Sequence, residues 1–166
     1  MEKSPATSEV FRKIAVWNTA FLGDAVLTLP LIRALKAAYP QAAIHFFVRK
    51  GYGDLFSAHP DLAQTHEVDK NGTLRKFTAW RRFGRECATM KFDLWISAHK
   101  SFRSAYLARA AGAPLRIGYA EPRYNRFLYT HTVPRRFNDL HEIERILQLL
   151  KPLGIKPPKK PWPVLA

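Results

Sequence analysis

Strands and helices alternate along these 166 residues at a spacing that predicts an α/β fold, a parallel sheet of Rossmann-like type with helices on both faces. Three observations carry the prediction. The runs AAIHFFVRK and FDLWISAH are continuous and rich in β-branched and aromatic residues, as strands are. The stretches around them place apolar residues three or four apart, the period of a helix with one buried face. The pattern repeats without a long gap, and parallel neighbours need such crossover connections.

In chain order, Ile14 to Asn18 reads as a short buried strand, followed by a helical pattern with Leu27, Leu31 and Leu35 four apart. A proline inside a helix costs a hydrogen bond, so Pro30 requires either a helix start near Thr28 or a kink. AAIHFFVRK is the second strand, YGDLFSAH a short helix ended before Pro60, and THEVD a third, shorter strand. From Leu74 to Met90 the residues Leu74, Phe77, Trp80, Cys87 and Met90 recur at helical spacing, with Arg75, Arg82 and Arg85 along another side. FDLWISAH is strand four, SFRSAYLARAAG a helix closed by Gly112, LRIGYA strand five, and YTHTV one more strand. Asp139 and Glu142 have capping-box spacing, Ile143, Ile146, Leu147 and Leu150 form the stripe of a last helix, and Gly154 stops it. The tail IKPPKKPWPVLA, with four prolines and three lysines, suits an extended linker. The division expected is a flexible leader over 1–12, one domain over 13–154 and a linker over 155–166.

A net charge of +14 and a pI near 10.3 point to an anionic partner or a membrane surface. Lone Cys87, beside Ala88 and Met90, reads as a buried reduced thiol, which favours a reducing cytoplasm. The first residues hold no apolar run of signal-peptide type, and no later stretch reaches the roughly 20 apolar residues of a membrane span. Any membrane contact is therefore expected to be peripheral.

Ligands of open parallel sheets gather at the carboxyl ends of the strands, which singles out the loops after Asn18, Arg49, Asp69, His99 and Tyr119. The first of these, NTAFLGDAVLTLP, places Thr19, Gly23 and Asp24 at that edge and has neither GxGxxG nor a P-loop. By spacing alone Asp24 reads first as a helix-start or turn residue.

The segment KIAVWNTAFLGDAVLTLPLIRALKAAYPQAAIHFFV resembles the opening of the heptosyltransferases of glycosyltransferase family 9: a strand, a short loop, Gly-Asp, then a helix with threonine and proline. FDLWISAHKSFRSAYLARAAGAPLRIGY is similar to the family's strand with its Ser-x-x-Ser helix and Ala-Gly-Ala-Pro-x-Arg-Ile-Gly turn, and HEIERILQLLKPLG to the helix that ends this half-enzyme. The three matches lie in order and cover most of Ile14 to Gly154.

The resemblance implies the N-terminal, acceptor-binding half of a GT-B enzyme. Such an enzyme moves heptose from ADP-heptose to the inner core of lipopolysaccharide with inversion, and no metal or other cofactor is expected. Asp24 matches the family's Gly-Asp aspartate, the expected general base for the acceptor hydroxyl. The acceptor, Kdo-lipid A or a heptosylated inner core, is an anionic glycolipid, and cations are expected to bind it. Lys70, Arg75 and Lys76 occupy the segment that resembles the family's acceptor-phosphate site. Lys100 and Arg103 after strand four, and Arg123 and Arg126 between Tyr119 and Tyr129, are further candidates to line the cleft. Taken singly, each of these cations reads first as a solvated surface charge, and the expectation rests on the cluster more than on its members. His99 is a candidate donor to the leaving diphosphate or to an acceptor oxygen, or else a packed or capping histidine. His131, His141, Trp80 and Trp95 read as structural, and Phe21 as core or cleft wall.

The nucleotide-sugar is expected on a second, C-terminal domain absent from this chain, which alone is then not competent for transfer. The expected location is the cytoplasmic surface of the inner membrane. Two alternatives stand beside this reading: a basic nucleic-acid- or anion-binding α/β module without catalysis, for which no nucleic-acid-binding motif is visible, and a family 9 enzyme with another donor sugar.

Overall fold

The computed structural model describes residues 10–165; the expected leader up to residue 9 and Ala166 lie outside the described residues. Its centre is a six-stranded sheet formed by β1 (Lys13–Trp17), β2 (Ala43–Arg49), β3 (Gln64–Val68), β4 (Leu94–Ser97), β5 (Leu115–Tyr119) and β6 (His131–Val133). Every pairing is parallel and the order is β3-β2-β1-β4-β5-β6, the arrangement of a doubly wound sheet. Register alternates side chains between two cores. Ile14, Val16, Ile44, Phe46, Leu94 and Ile96 face one layer, while Ala15, Trp17, Phe47 and Trp95 face the other.

The first layer holds α1 (Leu22–Val26), α2 (Leu29–Ala38), α3 (Gly53–Ser57), α7 (Glu142–Leu147) and the 3₁₀ turn Gln148–Leu153 that continues α7. The second holds α4 (Phe77–Thr89) and α5 (Phe102–Ala110), with α6 (Asn125–Leu128) packed against α5. Trp17, Phe47 and Trp95 stack beneath α4 and α5, with ring centroids 5.3–5.9 Å apart. Burial raises the Cys87 thiol to about 12, so it stays a protonated apolar filler among the described residues.

Several boundaries differ from the sequence reading, each for a local reason. The expected first helix is two helices, with Pro30 at the second position of α2, where no intrahelical N–H is needed. The helix expected from Leu74 starts at Phe77. Asp69 diverts the chain before it, accepting the Gly72 N–H at 2.8 Å through its carboxylate and the Leu74 N–H at 2.9 Å through its carbonyl, a side-chain turn that competes with helix. The capping residues of α7 lie two places later than expected, and the Glu144 carboxylate accepts the His141 N–H at 2.9 Å.

The chain ends of the domain also extend further than the sequence suggests. Phe11, placed in the leader, is buried with its ring edge-on to Tyr39 at 5.0 Å, and the Asp93 carboxylate accepts the N–H groups of Arg12 and Lys13. The tail lacks regular structure through Leu165, yet Ile155 packs on the core and the Val164 carbonyl lies 3.1 Å from His59 Nε2. Gly112 and Gly154 end their helices with φ of 71° and 69°, as expected of helix-stop glycines. Gly118 is required by packing instead, because a Cβ there would lie 2.4 Å from the Tyr129 ring.

Candidate active site

Strand order reverses between β1 and β4, and the loops leaving their carboxyl ends flank this switch point, the crevice position at which open parallel sheets bind ligands. Asn18 closes β1 by donating its backbone N–H to the Phe47 carbonyl at 3.0 Å. Its buried side chain then holds the loop. Nδ2 donates to the Asp24 carbonyl at 3.1 Å and to Thr28 Oγ1 at 2.8 Å, while Oδ1 accepts the Ala20 N–H at 3.3 Å. Thr28 Oγ1 donates to the same Asp24 carbonyl at 2.8 Å, so the backbone of Asp24 is fixed from two sides.

The Asp24 side chain is partly exposed. Its Oδ2 accepts the Phe21 N–H at 3.3 Å, a long back-reach to the start of α1, and among the described residues Asp24 forms no ion pair. The helix-start role and an available carboxylate therefore coexist in one residue. Gly23 adopts ordinary helical geometry, and a Cβ there would meet nothing within 4 Å, so the chain itself makes no close approach to it. Thr19, fully buried, leaves Oγ1 without a hydrogen-bond partner among the described residues.

Across the crevice, the loop after β4 is tied by Ser104. Its Oγ accepts Trp17 Nε1–H at 2.9 Å and lies 2.7 Å from Ser101 Oγ and 3.1 Å from His99 Nδ1, while Ser101 Oγ accepts the Ser104 N–H at 3.0 Å. The Ser-x-x-Ser spacing thus caps α5 and orients the His99 ring. Burial, then the positive charges of Lys70 and Arg135, lower His99 to about 4, so the imidazole is neutral at pH 7.

A cluster of cations stands beside this loop. Lys70 is half-buried, and burial followed by the charges of Arg103 and Arg49 lowers its ammonium below the usual lysine range. Arg103 Nη1 donates to the Lys70 carbonyl at 3.1 Å, and its guanidinium lies 3.9 Å from the Trp80 ring centroid. Arg49 sits 6.0 Å from the Phe21 ring, linking the cluster to the Gly-Asp loop. Among the described residues none of Arg49, Lys70 and Arg103 pairs with a carboxylate. Partly desolvated like charges held together without an acid repel one another, and an anion relieves that repulsion.

Residues 80–166, just over half of the chain, match the family described as glycosyltransferase family 9 (heptosyltransferase). The chain belongs to glycosyltransferase family 9. Lipopolysaccharide heptosyltransferase 1 of Pseudomonas aeruginosa is 31% identical over 149 residues, covering 82% of this chain and 41% of that protein. Lipopolysaccharide heptosyltransferase 3 of Escherichia coli K12 is 27% identical over 139 residues, covering 80% and 40%. The chain thus spans about two fifths of the length of these curated relatives. Among solved structures, a family 9 glycosyl transferase from Veillonella parvula aligns with a TM-score of 0.82 at 22% identity, over 93% of this chain and 45% of that one. An E. coli heptosyltransferase with ADP-2-deoxy-2-fluoro heptose aligns with a TM-score of 0.75 at 21% identity, over 89% and 50%. These likenesses establish the fold, and the α/β fold of GT-B type expected from the sequence is the one observed. The alternative of a nucleic-acid module is not favoured.

In this family 9 chain the structure brings Asp24, Thr19, Gly23, His99, Lys70 and Arg103 to the carboxyl edge of the sheet. The other proposed cations are exposed on the loops and helix starts that follow the same strand ends. Arg75 and Lys76 line a hollow with Gly72, Thr73 and Thr78, Arg123 is exposed before α6 and Arg126 is exposed within it. Lys100 is exposed in the loop after β4. Arg49 and Arg135 were missed as site residues. Arg49 ends a strand at the edge where ligands bind, a signal the sequence did contain. Arg135 follows a three-residue strand, and only the sheet order brings it towards His99.

The neutral histidines have a consequence for stability. His99 and the stacked pair His45–His66, whose Nδ1 and Nε2 lie 2.9 Å apart, are all lowered from 6.5, His45 and His99 to about 4. Burial is the main cause for each. The unfolded chain therefore binds more protons between pH 6.5 and about 4, and stability falls as pH drops through that window. Urea unfolding at pH 7 and pH 4.5 is expected to show a loss of ~2–4 kcal/mol, smaller in His45→Gln. A flat profile would show that these rings protonate freely in the folded chain.

Proposed function

We propose that this chain is the acceptor-side half of an inverting, metal-independent heptosyltransferase, which moves heptose from ADP-heptose to the anionic inner core of lipopolysaccharide at the cytoplasmic membrane surface. The observation that carries the reading is the placement of a partly exposed carboxylate, free of any ion pair among the described residues, on a loop adjoining unpaired cations. The names of the relatives supply the sugar and the acceptor.

In this reading Lys70, Arg103 and Arg49 hold phosphate or carboxylate groups of the acceptor, and Asp24 takes the proton of the acceptor hydroxyl. The freed oxygen electrons form the new bond to the anomeric carbon. The bond to the diphosphate breaks on the opposite face, ADP departs with that electron pair, and configuration inverts. His99, being neutral, donates or accepts a hydrogen bond without adding charge. In this reading the donor is held by the part of the relatives' length that this chain does not span, and residues 1–166 alone are expected not to catalyse transfer.

The test is a mass-resolved transfer assay with the complete polypeptide, ADP-heptose and Kdo-lipid A. One heptose should be added, and Lys70→Met/Arg103→Met should raise the acceptor KM about tenfold or more, with kcat within about threefold. Transfer from a different nucleotide-sugar in preference, or an unchanged acceptor KM, counts against the assignment. Transfer by residues 1–166 alone refutes the division of labour.

A further inference from the structure

Beside the cleft lies a surface that the transfer chemistry does not use. The rings of Trp80, Phe77, Tyr106, Phe102 and Tyr124 form an unbroken string across the start of α4, the start of α5 and the turn before α6, with successive centroids 5.3–6.4 Å apart. Phe127 stands further along α6. Phe77, Phe102 and Phe127 are 55%, 49% and 85% exposed, although phenyl rings gain nothing from water. The starts of α4 and α5 follow the carboxyl ends of β3 and β4, so the string borders the mouth of the crevice, and Arg103 bridges from Trp80 to the Lys70 carbonyl.

The charge around the string is predominantly positive, with exposed Glu121 between two of the segments that carry it. Residues 70–85, 94–120 and 122–138, which carry it, contain no Asp or Glu, while they contain fourteen of the 27 Lys and Arg residues. Exposed phenyl rings within a field of cations suit the interface of an anionic bilayer, where rings enter the headgroup boundary and cations meet lipid phosphates. Single-stranded nucleic acid suits it less well, because bases need free ring faces and the central rings already lie against one another.

We propose that the aromatic string at the starts of α4 and α5, with Phe127 of α6, docks this chain onto an anionic phospholipid leaflet, so that the crevice opens against the membrane. This surface rests on the proposed function only in that a lipid-linked acceptor would enter from the same side.

The test is sedimentation of the chain with vesicles of 30% phosphatidylglycerol in phosphatidylcholine and with pure phosphatidylcholine. Wild type should bind the anionic vesicles, weaken as salt rises, and bind neutral vesicles at least tenfold less. Phe77→Ser/Phe102→Ser/Phe127→Ser should lower anionic-vesicle binding about tenfold or more, while Trp162→Ser, on the tail, should leave it within twofold. A thermal scan establishes that the triple variant is folded. Should it misfold, Phe127→Ser alone, at the most exposed ring, should still lose at least threefold. Equal binding by the folded variant and wild type, equal binding to neutral vesicles, or aromatic-dependent binding to single-stranded DNA stronger than to vesicles would overturn the proposal. Asp24→Asn should bind vesicles as wild type does. Loss of transfer in that variant together with unaltered vesicle binding in the triple variant would sink the docking surface alone, and the opposite pair would sink the catalytic reading alone.

Discussion

Asp24→Asn in the complete polypeptide is expected to lower kcat by about 10²- to 10⁴-fold, with the acceptor KM changed by less than about threefold. The amide still accepts the Phe21 N–H through its oxygen, so the start of α1 and the Asn18 and Thr28 bonds to the residue 24 carbonyl are preserved. What is lost is a group that can take a proton. A general base acts in the transition state, so the loss falls on kcat and not on binding. Steady-state kinetics with saturating ADP-heptose read the split, and circular dichroism checks the fold. A kcat within threefold of wild type, under one kcal/mol of barrier, would leave Asp24 as a helix-start residue alone.

Asn18→Ala should be the second most damaging change, although Asn18 is buried and touches no acceptor in this reading. Its amide holds the Asp24 carbonyl, Thr28 Oγ1 and the Ala20 N–H together. Removing it leaves buried backbone groups short of partners and costs ~1–3 kcal/mol of stability by urea unfolding. It also frees the Gly-Asp loop, and displacement of a catalytic group by about 1 Å costs on the order of 10²-fold in kcat. A structural role alone would move stability and leave kcat of the folded fraction intact. A double-mutant cycle separates the two. Combined with Asp24→Asn, Asn18→Ala should add less than about threefold further loss, because a misplaced base and an absent one are the same defect. Full additivity would mean that Asn18 acts elsewhere.

Parts of this molecule were legible without coordinates because they depend on near neighbours. The strands announced themselves by run length and residue type, and the stops at Gly112 and Gly154 by the need for positive φ. Boundaries failed where a side chain offered the backbone a competing partner. Asp69 delayed α4, and Glu144, rather than Glu142, closed the start of α7. Neither effect has a periodicity to read. Phe11 was placed in a tail because one aromatic residue among polar ones carries no pattern, yet a cavity edge beside Tyr39 takes it in. At the candidate site, the Gly-Asp loop was singled out by its place after the first strand and then by resemblance, and Lys70 and Arg103 were named without their neighbour Arg49.

By itself the sequence determined the α/β class, the family, and the loop that bears Asp24, since local propensity, hydrophobic period and ordered motifs are properties of the chain read in one dimension. Only the tertiary structure decided which cations share one environment. Arg49, Lys70 and Arg103 come from three different strand ends, and their mutual repulsion exists only once the order β3-β2-β1-β4 brings those ends together. The same packing lays the rings at the starts of α4, α5 and α6 side by side, because distance in a folded sheet is set by strand order and not by position along the chain.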